Sequence, residues 1–230
     1  MREPLVSVVV PVYRGERFLG AALDSVDRQT YPHVELIVVD DGSDDASAEI
    51  ADTHAGARVL REAHRGVSAA RNAGIAVAQG ELVAFLDADD EWMPRKLERQ
   101  IALMCARPEV AIVHTYVMTF LAPGTPIPPW VPADWRTVAQ PRYCPSNWLV
   151  RREAFTQVGP FDESFTTAEE YDWLARARNA GLGSAMLEDT LVRWRLHGAN
   201  VSHRQAEIRR GILRMLRANI QRRDAGGDAS

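Results

Sequence analysis

Apolar runs separated by amphipathic stretches dominate the first half of the chain. Residues 5–13 (LVSVVVPVY) are β-branched and broken only by Pro11, the pattern of a strand buried on both faces. Residues 15–29 place Phe18, Leu19, Ala22 and Val26 at helical spacing. Residues 35–39 (ELIVV) form a second short apolar run, 58–60 a weaker third, and 82–86 (LVAFL) a fourth. Between them the pattern predicts a helix over 46–55, capped by Ser43, Asp44 or Asp45, and an alanine-rich helix over 66–79 that Gly80 stops. A helix over 94–104 starts with a proline in its first turn. Strand alternating with helix predicts an α/β fold, a mostly parallel sheet covered by helices on both faces.

The second half is less regular. Residues 110–120 are apolar and predict a strand. Residues 121–144 are proline-rich, carry Trp130, Trp135 and Tyr143, and lack periodicity, which predicts a long ordered loop of the kind that carries function. Regular structure resumes over 147–158, Gly159-Pro160 marks a turn, and 167–180 predicts a helix ended by Gly181. Residues 185–187 and 191–196 are short strand candidates. A last helix over 204–223 precedes a frayed tail, 224–230.

Composition narrows the function classes. The chain has 230 residues, 46% hydrophobic and 25% charged, enough for a substantial core. Its net charge of −4 does not mark a nucleic-acid binder. Cys105 and Cys144 stand in no metal-type spacing, which predicts two free thiols in a reducing cytosol. No signal peptide or membrane span is expected.

The chemistry concentrates where strands end. The run Leu82–Leu86 stops in Asp87-Ala88-Asp89-Asp90. Carboxylates so close repel one another unless a cation sits among them, and Mg2+ or Mn2+, which bring substrate phosphates, suit such oxygen ligands. The plainer alternative is a polar strand end in which Asp90 caps the next helix. Pro11-Val12-Tyr13 and Asp40-Asp41 end the first two strands, and in parallel sheets ligands bind beyond such ends. No GxGxxG follows the first strand, which disfavours a dinucleotide site.

The ordered series VSVVVPVY, ELIVVDDGSDD, GVSAARNAG, LVAFLDADD, RRE…VGPFDESF, AEEYDWLARARNAG and RLHGANVS resembles glycosyltransferase family two. That resemblance implies a GT-A fold over 1–203, with a nucleotide-sugar-binding, Rossmann-like half (1–106) and an acceptor and catalytic-base half (107–203). It implies that Pro11, Val12, Tyr13, Glu16, Asp41, Arg71, Asp87 and Ala88 bind the donor, Arg71 reaching toward the nucleotide or its diphosphate. Asp40 would support the loop. Asp89 would bind the metal, Mn2+ or Mg2+, with Asp87 and His197 as further ligands. The base would be the second acid of Glu169-Glu170. The family carries Asp there, and the longer Glu170 would displace its carboxylate by about a C–C bond. Glu169 and Asp172 are then the other candidates for the base. The implied reaction is metal-dependent and inverting, from a nucleoside-diphosphate sugar, a UDP-sugar first among them, to a hydroxyl of a sugar or lipid-linked acceptor in cell-surface polysaccharide, glycolipid or glycoconjugate synthesis. Trp130 and Trp135 are acceptor-site candidates, whereas Trp148 and Trp173 fit the core. A sugar-phosphate nucleotidyltransferase, or a binding module with weakened turnover, are the rival functions.

The last helix repeats Ile208, Ile212, Leu216 and Ile220 at four-residue spacing among arginines. Its expected dock is its own domain, a second copy of the chain, or an anionic bilayer. The expected location is cytoplasmic, with peripheral attachment to the inner face of the membrane as the alternative.

Overall fold

The structure, a computed structural model, describes residues 3–129, 131, 135 and 139–227. In chain order its elements are β1 (Val6–Val12), α1 (Leu19–Asp27), β2 (Val34–Asp40), α2 (Ser47–Thr53), β3 (Ala57–Arg61), α3 (Val67–Val77), β4 (Leu82–Phe85), β5 (Glu91–Trp92), α4 (Lys96–Ala106), β6 (Val110–Leu121), β7 (Gln140–Pro141), β8 (Leu149–Arg151), α5 (Glu153–Val158), α6 (Glu169–Asn179), β9 (Gly183–Leu196) and α7 (Gln205–Gly227). One sheet runs β3-β2-β1-β4-β8-β6-β9-β5, with β7 paired to β6. The first four of these strands are parallel; β8 then pairs antiparallel with both β4 and β6. Both halves expected from the sequence therefore share one sheet.

Alternation along β1 explains its unbroken apolar run. Val6, Val8, Val10 and Val12 face one core with Leu19 and Leu23 of α1 and Leu97 of α4. Val9 faces the other core, beneath α3. Gly74 lets α3 lie close to the sheet: a Cβ there would stand 2.3 Å from Val9 Cγ1. The second core is an aromatic cluster of Phe85, Trp148, Phe155, Phe161 and Trp173, with ring centroids 4.7–6.4 Å apart. Trp148 and Trp173 are thus core residues, as their spacing predicts.

Four expectations change. The two short strands near 185–196 are one strand, β9. Thr115 pairs with Leu187 but Tyr116 with Thr190, so Glu188 and Asp189 occupy an irregularity that breaks the apolar pattern without ending the strand. The helix expected to start at 46 has no side-chain cap; Asp45 accepts from the Ser47 N–H (3.0 Å), while Ser43 and Asp44 hold Arg14. The helix expected to stop at Arg223 runs on to Gly227. Its apolar repeat also divides: Ile208, Ile212 and Met215 turn inward, whereas Leu216 and Ile220 are exposed. No helix among the described residues is long and apolar enough to cross a membrane. Both cysteines are free thiols.

Candidate active site

A cleft of about 1100 Å³ opens beyond the carboxyl ends of β1 and β4 and is closed on its far side by α6, β7 and the start of α7. Pro11, Tyr13, Arg71, Asp87, Ala88, Asp89, Glu169, Glu170 and His197 all line it. The positive-φ residues other than glycine among the described ones, Arg14 (50°) and Ala168 (66°), line it too. Strained backbone of this kind is retained where the surroundings impose it, most often at functional sites.

The loops that follow β2 and β3 are fixed by the acids that end β2. Asp40 accepts from the Ser43 N–H (3.1 Å), supporting its own loop as expected. Asp41 is buried, and its two oxygens take the N–H groups of Arg65 and Gly66, both at 2.8 Å, and the ring of His64 (2.9 Å). Asp41 is therefore not part of the cleft wall; it anchors the turn that starts α3. Val12 is buried in the core, and Glu16 accepts from the Ala46 N–H (3.0 Å), so neither side chain lines the cleft. Tyr13 does, with its ring stacked on His64 at 3.9 Å between centroids. His64 carries no motif and sequence reasoning passes over it.

Three adjacent acids have three different roles. Asp90 is fully buried between Ser146 Oγ (2.7 Å) and the Arg195 N–H (3.0 Å); burial, then Asp89 and Asp87, push its carboxyl well above the ordinary range. It ties β4 to β9 and caps no helix. Asp87 is partly exposed, with one oxygen 2.7 Å from Arg71 Nη2. Asp89 is also partly exposed, and its Oδ2 accepts from His197 Nε2 and Asn200 Nδ2, both at 3.0 Å. The Ala199 N–H donates to His197 Nδ1 (3.2 Å), which places the imidazole proton on Nε2, toward Asp89. Asn200, within the RLHGANVS stretch, is a site residue that sequence reasoning did not single out.

This donor set fits a divalent cation. Carboxylate and imidazole suit Mn2+ or Mg2+ sites: Asp89 Oδ1 is free of hydrogen bonds among the described residues, and His197 Nε2 would ligate once an ion takes the place of its proton. Asp87, Asp89 and His197 do not converge within 4.8 Å of one another, so Asp89 and His197 are the closer pair.

The first turn of α6 separates its acids. Arg71 is 3% exposed and bridges Glu169 Oε1 (2.8 Å, from Nη1) and Asp87, with Phe161 5.7 Å away. Both acids hold it firmly protonated. It is a buried link across the cleft floor, not a solvated surface arginine. Glu169 is buried and neutralised by that link. Asp172 is fully buried, bound by Arg176 Nε (2.8 Å) and Arg222 Nη1 (2.6 Å), and lies outside the cleft. This removes Asp172 as a base and makes it the joint between α6 and α7. Glu170 remains. It forms no ion pair among the described residues, and burial, then the neighbouring Glu169, push its carboxyl up to about 8.

The far wall has residues that no motif announced. Trp194 of β9 and Arg142, just after β7, line it, with Arg142 Cζ 4.5 Å from the indole centroid. Tyr143 and Tyr171 are exposed there, 49% and 36%. Trp135, an acceptor-site candidate, is instead buried and off the cleft wall. Trp130 lies outside the described residues.

With this geometry in hand, known proteins can be compared. The model of glycosyl transferase family 2 matches residues 7–159, two thirds of the chain. The O-antigen biosynthesis protein RfbC of Myxococcus xanthus is 34% identical over 188 residues, covering 78% of this chain and 15% of that protein. The Escherichia coli UDP-Glc:alpha-D-GlcNAc-diphosphoundecaprenol beta-1,3-glucosyltransferase WfgD is 39% identical over 108 residues, covering 45% of this chain and 42% of that enzyme. The chain thus spans less than half the length of these two relatives. Among solved structures, the mannosyltransferase PcManGT from Pyrobaculum calidifontis, in complex with GDP-Man and Mn2+, superposes with a TM-score of 0.75 at 20% identity, covering 96% of this chain and 65% of that one. The fold is GT-A, and the chain belongs to glycosyl transferase family 2.

Proposed function

We propose that the cleft transfers a sugar from a nucleoside-diphosphate sugar to an acceptor hydroxyl with inversion at the anomeric carbon. The observation that carries this reading is Glu170: an unpaired carboxylate with a raised pKa, facing the same cleft as Asp87 and Asp89. A base held near neutral pH is suited to general-base catalysis. Glu170 takes the proton of the acceptor hydroxyl, the oxygen bonds to the anomeric carbon, and the bond from that carbon to the diphosphate breaks. Arg71 keeps Glu169 and Asp87 in place on either side of the reacting centre. Asp89 and His197 would hold a divalent ion, Mn2+ or Mg2+, which supplies neutralisation of charge on the leaving diphosphate. Tyr13 would face the base of the nucleotide. The family match favours this reading over a nucleotidyltransferase. The names of relatives that make surface polysaccharides support an acceptor in that class.

The test is Glu170→Gln. Turnover should fall by about 10²–10⁴-fold, while nucleoside diphosphate with Mn2+ still raises the melting temperature as in the parent chain. Unchanged turnover would remove Glu170 as the base. Asp89→Ala should abolish the Mn2+-dependent part of that thermal shift.

The outer face of α7 supports peripheral attachment to an anionic bilayer. Leu213, Leu216 and Ile220 are 56%, 46% and 59% exposed. Arg209 and Arg217 stand one turn either side of Leu213, without ion pairs among the described residues. An apolar stripe edged by arginine is complementary to acidic headgroups. Vesicles of phosphatidylglycerol and phosphatidylcholine should float the chain but not its Leu213→Ser/Leu216→Ser/Ile220→Ser variant. Equal flotation, or a dimer that the triple variant dissolves, sinks the idea.

A further inference from the structure

The acceptor-side wall holds a cation with no counter-charge. Arg142 lies over Trp194, 4.5 Å from Cζ to the ring centroid. Its Nε is buried without a hydrogen-bond partner, and among the described residues its guanidinium meets no carboxylate. The backbone beneath it is rigidly placed. Asn147, fully buried, donates Nδ2 to the Arg142 carbonyl (2.6 Å) and to the Thr115 carbonyl (2.8 Å), which pins the segment to β6. Across the cleft, Tyr171 follows Glu170 directly, and the Arg142 charge offsets part of the rise in its phenol pKa that burial and Glu170 cause. Arg142, Glu170 and Tyr171 line the same cleft.

Leaving a buried guanidinium N–H without an acceptor is costly, so an anion that accepts from Arg142 would be favoured there. A planar guanidinium seated on an indole is held in a fixed orientation and presents its remaining donors as a fork for two oxygens of one anion. The fit is to a phosphate or a carboxylate, not to a neutral sugar ring alone.

We propose that Arg142 and Trp194 form an anion-recognising acceptor subsite, so that the molecule whose hydroxyl meets Glu170 carries a phosphate or carboxylate group. This rests on the transferase reading above. The test uses the full chain saturated with Mn2+ and nucleoside diphosphate, so that the donor side is filled. Glucose 6-phosphate, glucuronic acid and glucose are titrated separately and followed by saturation-transfer NMR. At least one of the charged sugars should bind about tenfold or more tightly than glucose; which one distinguishes phosphate from carboxylate. Arg142→Met should erase the preference with nucleotide affinity unchanged. Trp194→Leu, which removes the seat but keeps the charge, should weaken it. Equal binding of all three sugars, binding of none, or a preference that survives Arg142→Met overturns the proposal. Failure of the nucleotide to bind would instead strike the donor reading, and the same titrations without nucleotide would still test Arg142.

Discussion

The donor-side and acceptor-side walls of one cleft hold their arginines in opposite ways. On the donor side, Arg71 is buried with both terminal nitrogens taken by Glu169 and Asp87. On the acceptor side, Arg142 meets an aromatic ring and no acid among the described residues. The first has both terminal nitrogens paired with acids of the protein, its Nε alone lacking a partner, and so serves the structure of the site. The second would be completed by the anion proposed above. The strands beneath them differ in the same sense. In the parallel half β1, β4 and most of β2 are buried on both faces, and the loops are tied by Asp40 and Asp41 to backbone amides. The other half pairs the twelve-residue β6 in parallel with the irregular β9 and adds the two-residue β7 and the three-residue β8, both antiparallel to β6.

If that contrast is right, the largest stability loss lies on the donor side. Arg71→Met leaves Glu169 and Asp87 facing each other across a buried floor, and should cost about 3–5 kcal/mol by urea denaturation. A loss below about 1 kcal/mol would mean that the link is not structural. Gly74→Ala comes next. Its new methyl group would press on Val9 at 2.3 Å, so α3 must shift from β1, at about 1–3 kcal/mol. Because α3 carries Arg71, nucleotide-dependent stabilisation should weaken with it.

The same contrast governs what could be read from the chain. The parallel half was legible because β1, β2 and β4 are continuous apolar runs, β2 and β4 leading into acids, and because Asp87, Asp89 and Glu170 sit in stretches resembling the family. What those acids touch was not legible. Asp41 binds amides at positions 65 and 66, and Asp172 binds Arg222, 50 residues away; no local pattern encodes either pairing. β5, β7 and β8 are too short to show a period of two. Glu188-Asp189 reads as a strand end although it is an irregularity within β9. Arg142 and Trp194 belong to no motif, because they meet only through the pairing of β6 with both β7 and β9.

Glu170 gives a prediction with a sign. Its folded pKa, about 8, lies above the ordinary 4.5. Between those values the folded chain keeps a proton that the unfolded chain has released. Stability should therefore decline as pH rises through that window and level off above it. Glu170→Gln should flatten the decline and be the more stable chain at about pH 9, read from urea midpoints. The parent's turnover should rise over the same window, since only the carboxylate can accept a proton. A parent stability that does not fall between about pH 5 and pH 9 would place the Glu170 carboxyl near its ordinary value.

The smallest effect is the one that the contrast needs most. Arg142→Met keeps an apolar side chain over Trp194 and removes a charge that no carboxylate among the described residues pairs with. Only the cation–π contact is lost, about 0.5–1 kcal/mol, and the buried Nε no longer lacks a partner, which offsets part of that. The net change in unfolding free energy should stay under about 1 kcal/mol, against the several expected for Arg71→Met. Equal losses at the two positions would mean that Arg142 is as structural as Arg71, and the acceptor wall would then lack the feature that distinguishes it.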